Sequence, residues 1–272
     1  MNRNLRLALI ILLSGLFLFS AMMVGGYFLN SHKQNTQFQE LADIVNQKRP
    51  ERPKIPDSTT APAPETITPD APTEPVETQP PGPLPEYVEV SAKNPHMVGW
   101  LQLEGTKIDY PVMHTPNDPE YYLHKDFYEK YSGHGCLFIE AACDVNQPSD
   151  NITIYGHNMK DGSMFATILK YRNKSFWKDH RYIYFDTLNE RHTYEVFAVF
   201  TTTATKGSGF TYHHFVNASD ESSYRNFVDN CKRISLYDTG ITPSYGDKLI
   251  TLSTCEYSQQ NGRFVIVARR VV

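Results

Sequence analysis

Residues 248–270 read KLITLSTCEYSQQNGRFVIVARR, two strand-like runs separated by a polar loop. Side chains alternate along a strand, so Leu249, Thr251, Ser253 and Cys255 share one face and Ile250, Leu252 and Thr254 the other. The second run, Phe264-Val265-Ile266-Val267-Ala268, is apolar and β-branched, with Arg263 at its start. Residues 256–262 between them carry Asn and Gly, as a hairpin connection requires. If the two strands pair as neighbours, Cys255 at the end of one faces Arg263 at the start of the other. A thiol beside a guanidinium that keeps its charge suits nucleophilic chemistry at a carbonyl.

Working upstream, further strands are expected at 98–103, 108–112, 135–139, 151–155, 182–186 and 193–202, with 248–254 and 264–270 completing the set. The number of strands suggests a closed barrel or a sandwich. Helices fit 119–123, 164–169, 175–180 and 221–233; the last follows the cap candidates Ser219 and Asp220 and aligns Tyr224, Phe227, Val228 and Cys231. Strands without regular helical alternation argue against a doubly wound parallel sheet. The expected fold is mostly β, a closed antiparallel or mixed barrel with inserted helices.

The chain before residue 87 has a different character. Residues 7–29 carry no charge over a length that spans a bilayer, and Arg3 and Arg6 precede them, which places residues 1–6 in the cytoplasm and the remainder outside. The alternative is a cleaved signal peptide, but the apolar run exceeds the usual h-region and no clear cleavage site follows it. Residues 30–49 form a juxtamembrane segment with Phe38, Leu41, Ile44 and Val45 at helical spacing, a face too small for a core of its own. In 50–86 proline recurs among Thr, Glu and Ala, the composition of a disordered, extended stalk. A net charge of −4 over 272 residues gives no nucleic-acid signal.

Of ten histidines, those such as His114, His124, His180, His213 and His214 sit among loop-forming residues and read as solvated. His157 differs. It follows the strand NITIYG, precedes Asn158, and leads through Asp161, Gly162 and Ser163 to Met164, so it can project from a strand end as Cys255 does. The four cysteines face a disulfide-permissive exterior. A Cys136–Cys143 bridge stays open, although Cys136 in GCLFI and Cys231 on an apolar helix side read as buried thiols. His134, Cys136 and Cys143 lack zinc-ligand spacing, and no nucleotide loop or haem motif appears, so neither metal nor cofactor is expected.

TLSTC at 251–255, an Arg opening the next strand, YGHNM with GSMF across 155–165, and VGWLQLEGTKIDYPV at 98–112 together resemble the sortases, over about residues 94–272. These are membrane-anchored cysteine transpeptidases that attach secreted proteins to the Gram-positive cell wall. The insertion at 221–233 and a chain ending at Val272 without a carboxy-terminal span look like class B. The resemblance implies a sortase barrel at 87–272 with Cys255 as nucleophile, His157 as proton carrier, and Arg263 with the Glu256 backbone N–H as oxyanion donors. It implies a substrate carrying an NPxTN- or NPxTG-like motif near its carboxy terminus. The acceptor would be an amine of peptidoglycan or its lipid-linked precursor.

Ser253 and Thr254 admit substrate contact or strand packing, and Leu123 in EYYLHKDF admits motif contact or a core role. Phe210 and Tyr212 are expected in the wall of the peptide groove. Other readings of the same residues are a thiol protease that hydrolyses the thioester, a pilin-polymerising sortase, and a binding module in which Cys255 is structural.

Overall fold

The runs that alternate or are wholly apolar form the strands. A computed structural model describes residues 3–52, 82–205, 207–258 and 260–272. Its strands are β1 (Met97–Gln102), β2 (Asp109–Met113), β3 (Leu137–Ile139), β4 (Asn151–Tyr155), β5 (Tyr182–Thr187), β6 (Thr193–Thr203), β7 (Leu249–Glu256) and β8 (Gly262–Arg270). They close in the order β1-β2-β3-β4-β7-β8-β6-β5, with β5 pairing back to β1 through Gly99↔Thr187 to Gln102↔Tyr184. Two pairs, β2 with β3 and β4 with β7, are parallel; the others are antiparallel. Large side chains on both faces of the sheet, among them Trp100, Phe185, Phe197, Phe200 and Phe264, are nearly inaccessible to solvent. At about 25 cal/mol per Å² of apolar surface, their burial dominates the stability of the fold.

The helices are α1 (Arg3–Asn46), α2 (Val88–Ser91), α3 (Lys174–Asp179) and α4 (Glu221–Ile234). The expected segments at 119–123 and 164–169 are 3-10 turns, Tyr121–Leu123 and Phe165–Arg172. In α4 the cap is Asp220, whose side chain accepts from Ser223 N in a reciprocal capping box. Its Tyr224, Phe227, Val228 and Cys231 are buried.

Helix α1 departs from the expected division into a span and a separate juxtamembrane segment. It runs unbroken from Arg3 to Asn46, with exposed apolar side chains at Leu7 and from Leu9 to Leu29. Ser31, Gln34, Phe38, Leu41, Ala42 and Val45 are then buried on one face. The small apolar face needs no core of its own because it joins the barrel's: Phe38 meets the Tyr110 ring edge-on, centroids 5.2 Å apart. Of the expected stalk, residues 53–81 lie outside the described residues. Its described ends are both fixed to the barrel. Arg52 pairs with Asp186 at 2.5 Å, just after the juxtamembrane Arg49 pairs with Asp109 at 3.0 Å, while Leu84 is buried and Glu86 pairs with Arg191. The link from the apolar span to the barrel is therefore α1 itself.

Candidate active site

The parallel pairing of β4 with β7 sets Tyr155 beside Ser253. Two residues beyond that register point the chain reaches His157 on one strand and Cys255 on the other. The antiparallel pairing of β7 with β8 sets Cys255 opposite Arg263. All three side chains line one open cleft of about 330 Å³, shared with Leu123, Tyr212, Ser253 and Thr254. Cys255 is the one partly exposed cysteine; Cys136, Cys143 and Cys231 are buried free thiols, so Cys136 and Cys143 are not bridged.

Three hydrogen bonds hold the loop after β4 against β7. Asn158 Nδ2 donates to the Cys255 carbonyl at 3.1 Å, Thr254 Oγ1 donates to the Gly156 carbonyl at 2.7 Å, and Gly156 N donates to the Ser253 carbonyl at 3.2 Å. Gly156 is required by space, since its φ is not in the left-handed region. A Cβ there would stand 2.5 Å from Leu137 Cδ2 and 2.8 Å from the Phe165 ring.

His157 Nε2 lies 2.8 Å from the Leu123 carbonyl. A carbonyl only accepts, so Nε2 carries the proton and Nδ1 is the nitrogen left for exchange. The His124 ring stacks on His157 with centroids 5.7 Å apart. Burial pushes the His157 pKa below the ordinary histidine value; the bond to Leu123 opposes this, and His124 and His134 add to it. Arg263 Nη1 donates to the Gly262 carbonyl at 3.1 Å and the Asn261 carbonyl at 3.4 Å, which fixes the guanidinium at the strand entrance.

The remaining expected residues divide. Thr254 is buried with its hydroxyl on Gly156, and Ser253 Oγ lies 2.5 Å from Tyr212 OH, so both pack as well as line the cleft. Phe210 does not line it. Its ring, two residues before Tyr212 on the same loop, packs between Phe200 and Phe227, centroids 5.9 and 5.7 Å away. The Glu256 carboxylate turns to Arg172 at 2.7 Å and to Ser258, and Asp161 binds Ser163 and His134. Neither carboxylate orients the imidazole or the guanidinium.

Sequence reasoning missed Tyr155, Phe138, Glu140 and His213 in the lining. Tyr155 OH donates to Glu140 Oε2 at 2.7 Å. Its position next to Gly156-His157 was the available signal; Glu140 offered none. Among the described residues no group of three or more His, Cys, Asp or Glu side chains is placed to hold a metal ion.

A family model described as the sortase domain matches residues 101–271. The chain is 32% identical over 187 residues to sortase B of Staphylococcus aureus, covering 68% of this chain and 74% of that protein. It is 33% identical over 188 residues to sortase B of Listeria monocytogenes, with the same shares. Among solved structures, sortase B from Bacillus anthracis superposes with a TM-score of 0.69 at 28% identity, covering 90% of this chain and 99% of that one.

Proposed function

The chain belongs to the sortase family in its class B branch, cysteine transpeptidases that act on sorting motifs, and we propose that Cys255 is its nucleophile, His157 its proton carrier and Arg263 its oxyanion partner. The observation that carries this reading is the double register, Tyr155↔Ser253 and Cys255↔Arg263, which brings three distant residues into one cleft. His157 Nδ1 takes the Cys255 thiol proton, the resulting thiolate attacks the Thr carbonyl of an NPxTN- or NPxTG-like motif, and the carbonyl electron pair moves onto oxygen. Arg263 and the Glu256 backbone N–H hold that oxyanion, where removal of one donor costs roughly 10²–10³ in rate. Collapse breaks the C–N bond, and the departing nitrogen takes a proton from His157. The thioester is then attacked by an amine of peptidoglycan or its lipid-linked precursor. The surplus proton returns to His157 and the Cys255 thiolate leaves.

In this reading Leu123, Tyr212, Ser253 and Thr254 form the groove that receives the motif, and Phe210 packs on Phe200, the ring on which Tyr212 also rests. Residues 7–29 remain in the plasma membrane as a single span, with 1–6 cytoplasmic and the catalytic domain from residue 87 to 272 outside. The apolar stretch of α1 and the two arginines before it support that topology. No metal or organic cofactor enters any step.

The test is turnover of NPxTN and NPxTG peptides by the full chain with and without an added amine. Intact-mass measurement should find the acyl group on Cys255 and an amide-linked product when amine is present. Hydrolysis product alone in the presence of amine would assign the chain to the thiol proteases instead. Unaltered processing by Cys255→Ala would overturn the assignment of the nucleophile.

A further inference from the structure

Ser31 Oγ and Asn35 Nδ2, both on α1, donate to the Asp161 carboxylate, the latter at 2.9 Å. The apolar stretch of α1 ends at Leu29, two residues before Ser31. At about 1.5 Å of rise per residue, Asp161 is bonded to a point on the helix only some 3 Å beyond the hydrocarbon edge. A headgroup layer is about 5–7 Å deep on each side of a bilayer. The loop that follows His157 is thus held at headgroup depth.

The surface around that loop is basic. Lys107 Nζ donates to the Asp161 carbonyl at 3.3 Å, and Lys160 is the adjacent exposed residue. Lys107 and Lys170, both exposed, line one hollow of about 380 Å³ together with Gly105, Thr106, Gly162 and Thr167, none of them acidic. The carboxylate at the centre, Asp161, is already taken by Ser31, Asn35, Ser163 and His134.

We propose that this rim, formed by Lys107, Lys160 and Lys170, seats the catalytic domain on the bilayer by binding anionic phospholipid headgroups. The inference rests on the reading of 7–29 as a retained span. Each ammonium brought to an anionic surface favours the seated state by roughly fivefold, an effect that three of them multiply. The consequence for the cleft is position. His157 lies four residues from Asp161, so the acyl-transfer site opens beside the membrane, where a substrate still tethered by its own span and a lipid-linked amine both reside.

The full chain is reconstituted in nanodiscs of phosphatidylglycerol or of phosphatidylcholine and acetylated with a water-soluble N-hydroxysuccinimide ester. Lysine reactivities are read by peptide mass spectrometry, with Lys48, beyond the far end of α1, as the internal reference. The expected result is at least a fivefold drop at Lys107, Lys160 and Lys170 in phosphatidylglycerol relative to phosphatidylcholine, with Lys48 unchanged. Equal reactivity in the two lipids overturns the inference. So does an equal drop produced by millimolar inorganic phosphate in phosphatidylcholine discs, which would mark a site for a soluble anion. Failure of the chain to enter discs would overturn the span itself, and is distinguished by size-exclusion chromatography before any labelling.

Discussion

Asn158 donates its side-chain amide to the Cys255 carbonyl at 3.1 Å, tying the loop that carries the imidazole to the strand that carries the thiol. A net hydrogen bond contributes about 0.5–1.5 kcal/mol to stability, but a displacement of about 1 Å between reacting groups can cost 10²-fold in rate. Asn158→Ala should therefore lower peptide turnover roughly ten- to a hundredfold with only a small fall in Tm. Asn158→Asp, which turns an acceptor toward the same carbonyl, should be no better. Steady-state kinetics beside thermal melts check this, and wild-type turnover in both variants would dismiss the tie as incidental.

Arg263 is held by two carbonyls of its own turn and faces Cys255 across the ladder. Lysine keeps the charge but loses the planar fork that, in the proposed mechanism, bonds the turn and the oxyanion together. Arg263→Lys should lower kcat by about 10² or more while the melting temperature stays within a few degrees of wild type. A variant that folds and turns over normally would remove Arg263 from the mechanism.

The His157 imidazole has a pKa pushed down, chiefly by burial. Its unfolded value is about 6.5. A depressed histidine binds fewer protons folded than unfolded, so its contribution is fully present above pH 6.5. Stability is lost as pH falls from there toward the lower folded value. His114, His192 and His213 are depressed in the same direction, also mainly by burial. The His157 share is isolated by difference. The loss of Tm between about pH 7 and pH 5 should be smaller in His157→Gln than in wild type, and identical slopes would contradict a buried neutral imidazole.

All eight strands were legible because each alternates or is wholly apolar, and β7 and β8 gave the Cys255–Arg263 pairing directly from their alternation. The contact of β4 with β7 was not, since nothing local in NITIY or LITLS names a parallel partner about a hundred residues away. The docked face of α1 was hidden for a related reason. Phe38, Leu41, Ile44 and Val45 showed an apolar face but not its partner, and the polar Ser31, buried against Asp161 130 residues further on, extends it. Phe210 was misplaced because an aromatic residue in a polar loop signals burial without saying against what; here it is Phe200 and Phe227.

Asp161 joins α1 to the loop of His157, and its chemistry sets the sign of the last prediction. Burial works against its charge, but hydrogen bonds from Ser163, Ser31 and Asn35 overcome that and hold the carboxyl well below the usual carboxylate range. A depressed carboxylate contributes stability above its unfolded pKa of about 3.9, lost only as pH falls through the lower folded value. At neutral pH the contribution is complete, and hydrogen bonds to a charged group are worth about 1.5–3 kcal/mol. Asp161→Asn replaces one acceptor oxygen with a donor facing other donors, so it should destabilise by an amount in that range. Because the same carboxylate accepts from Ser163 N and Oγ, at 3.0 and 2.6 Å, the loop to Met164 should loosen with it. Hydrogen exchange should then rise in both 31–46 and 157–165, and kcat should fall more than KM changes. Faster exchange confined to α1, with kcat intact, would show that the helix is docked without bearing on the imidazole.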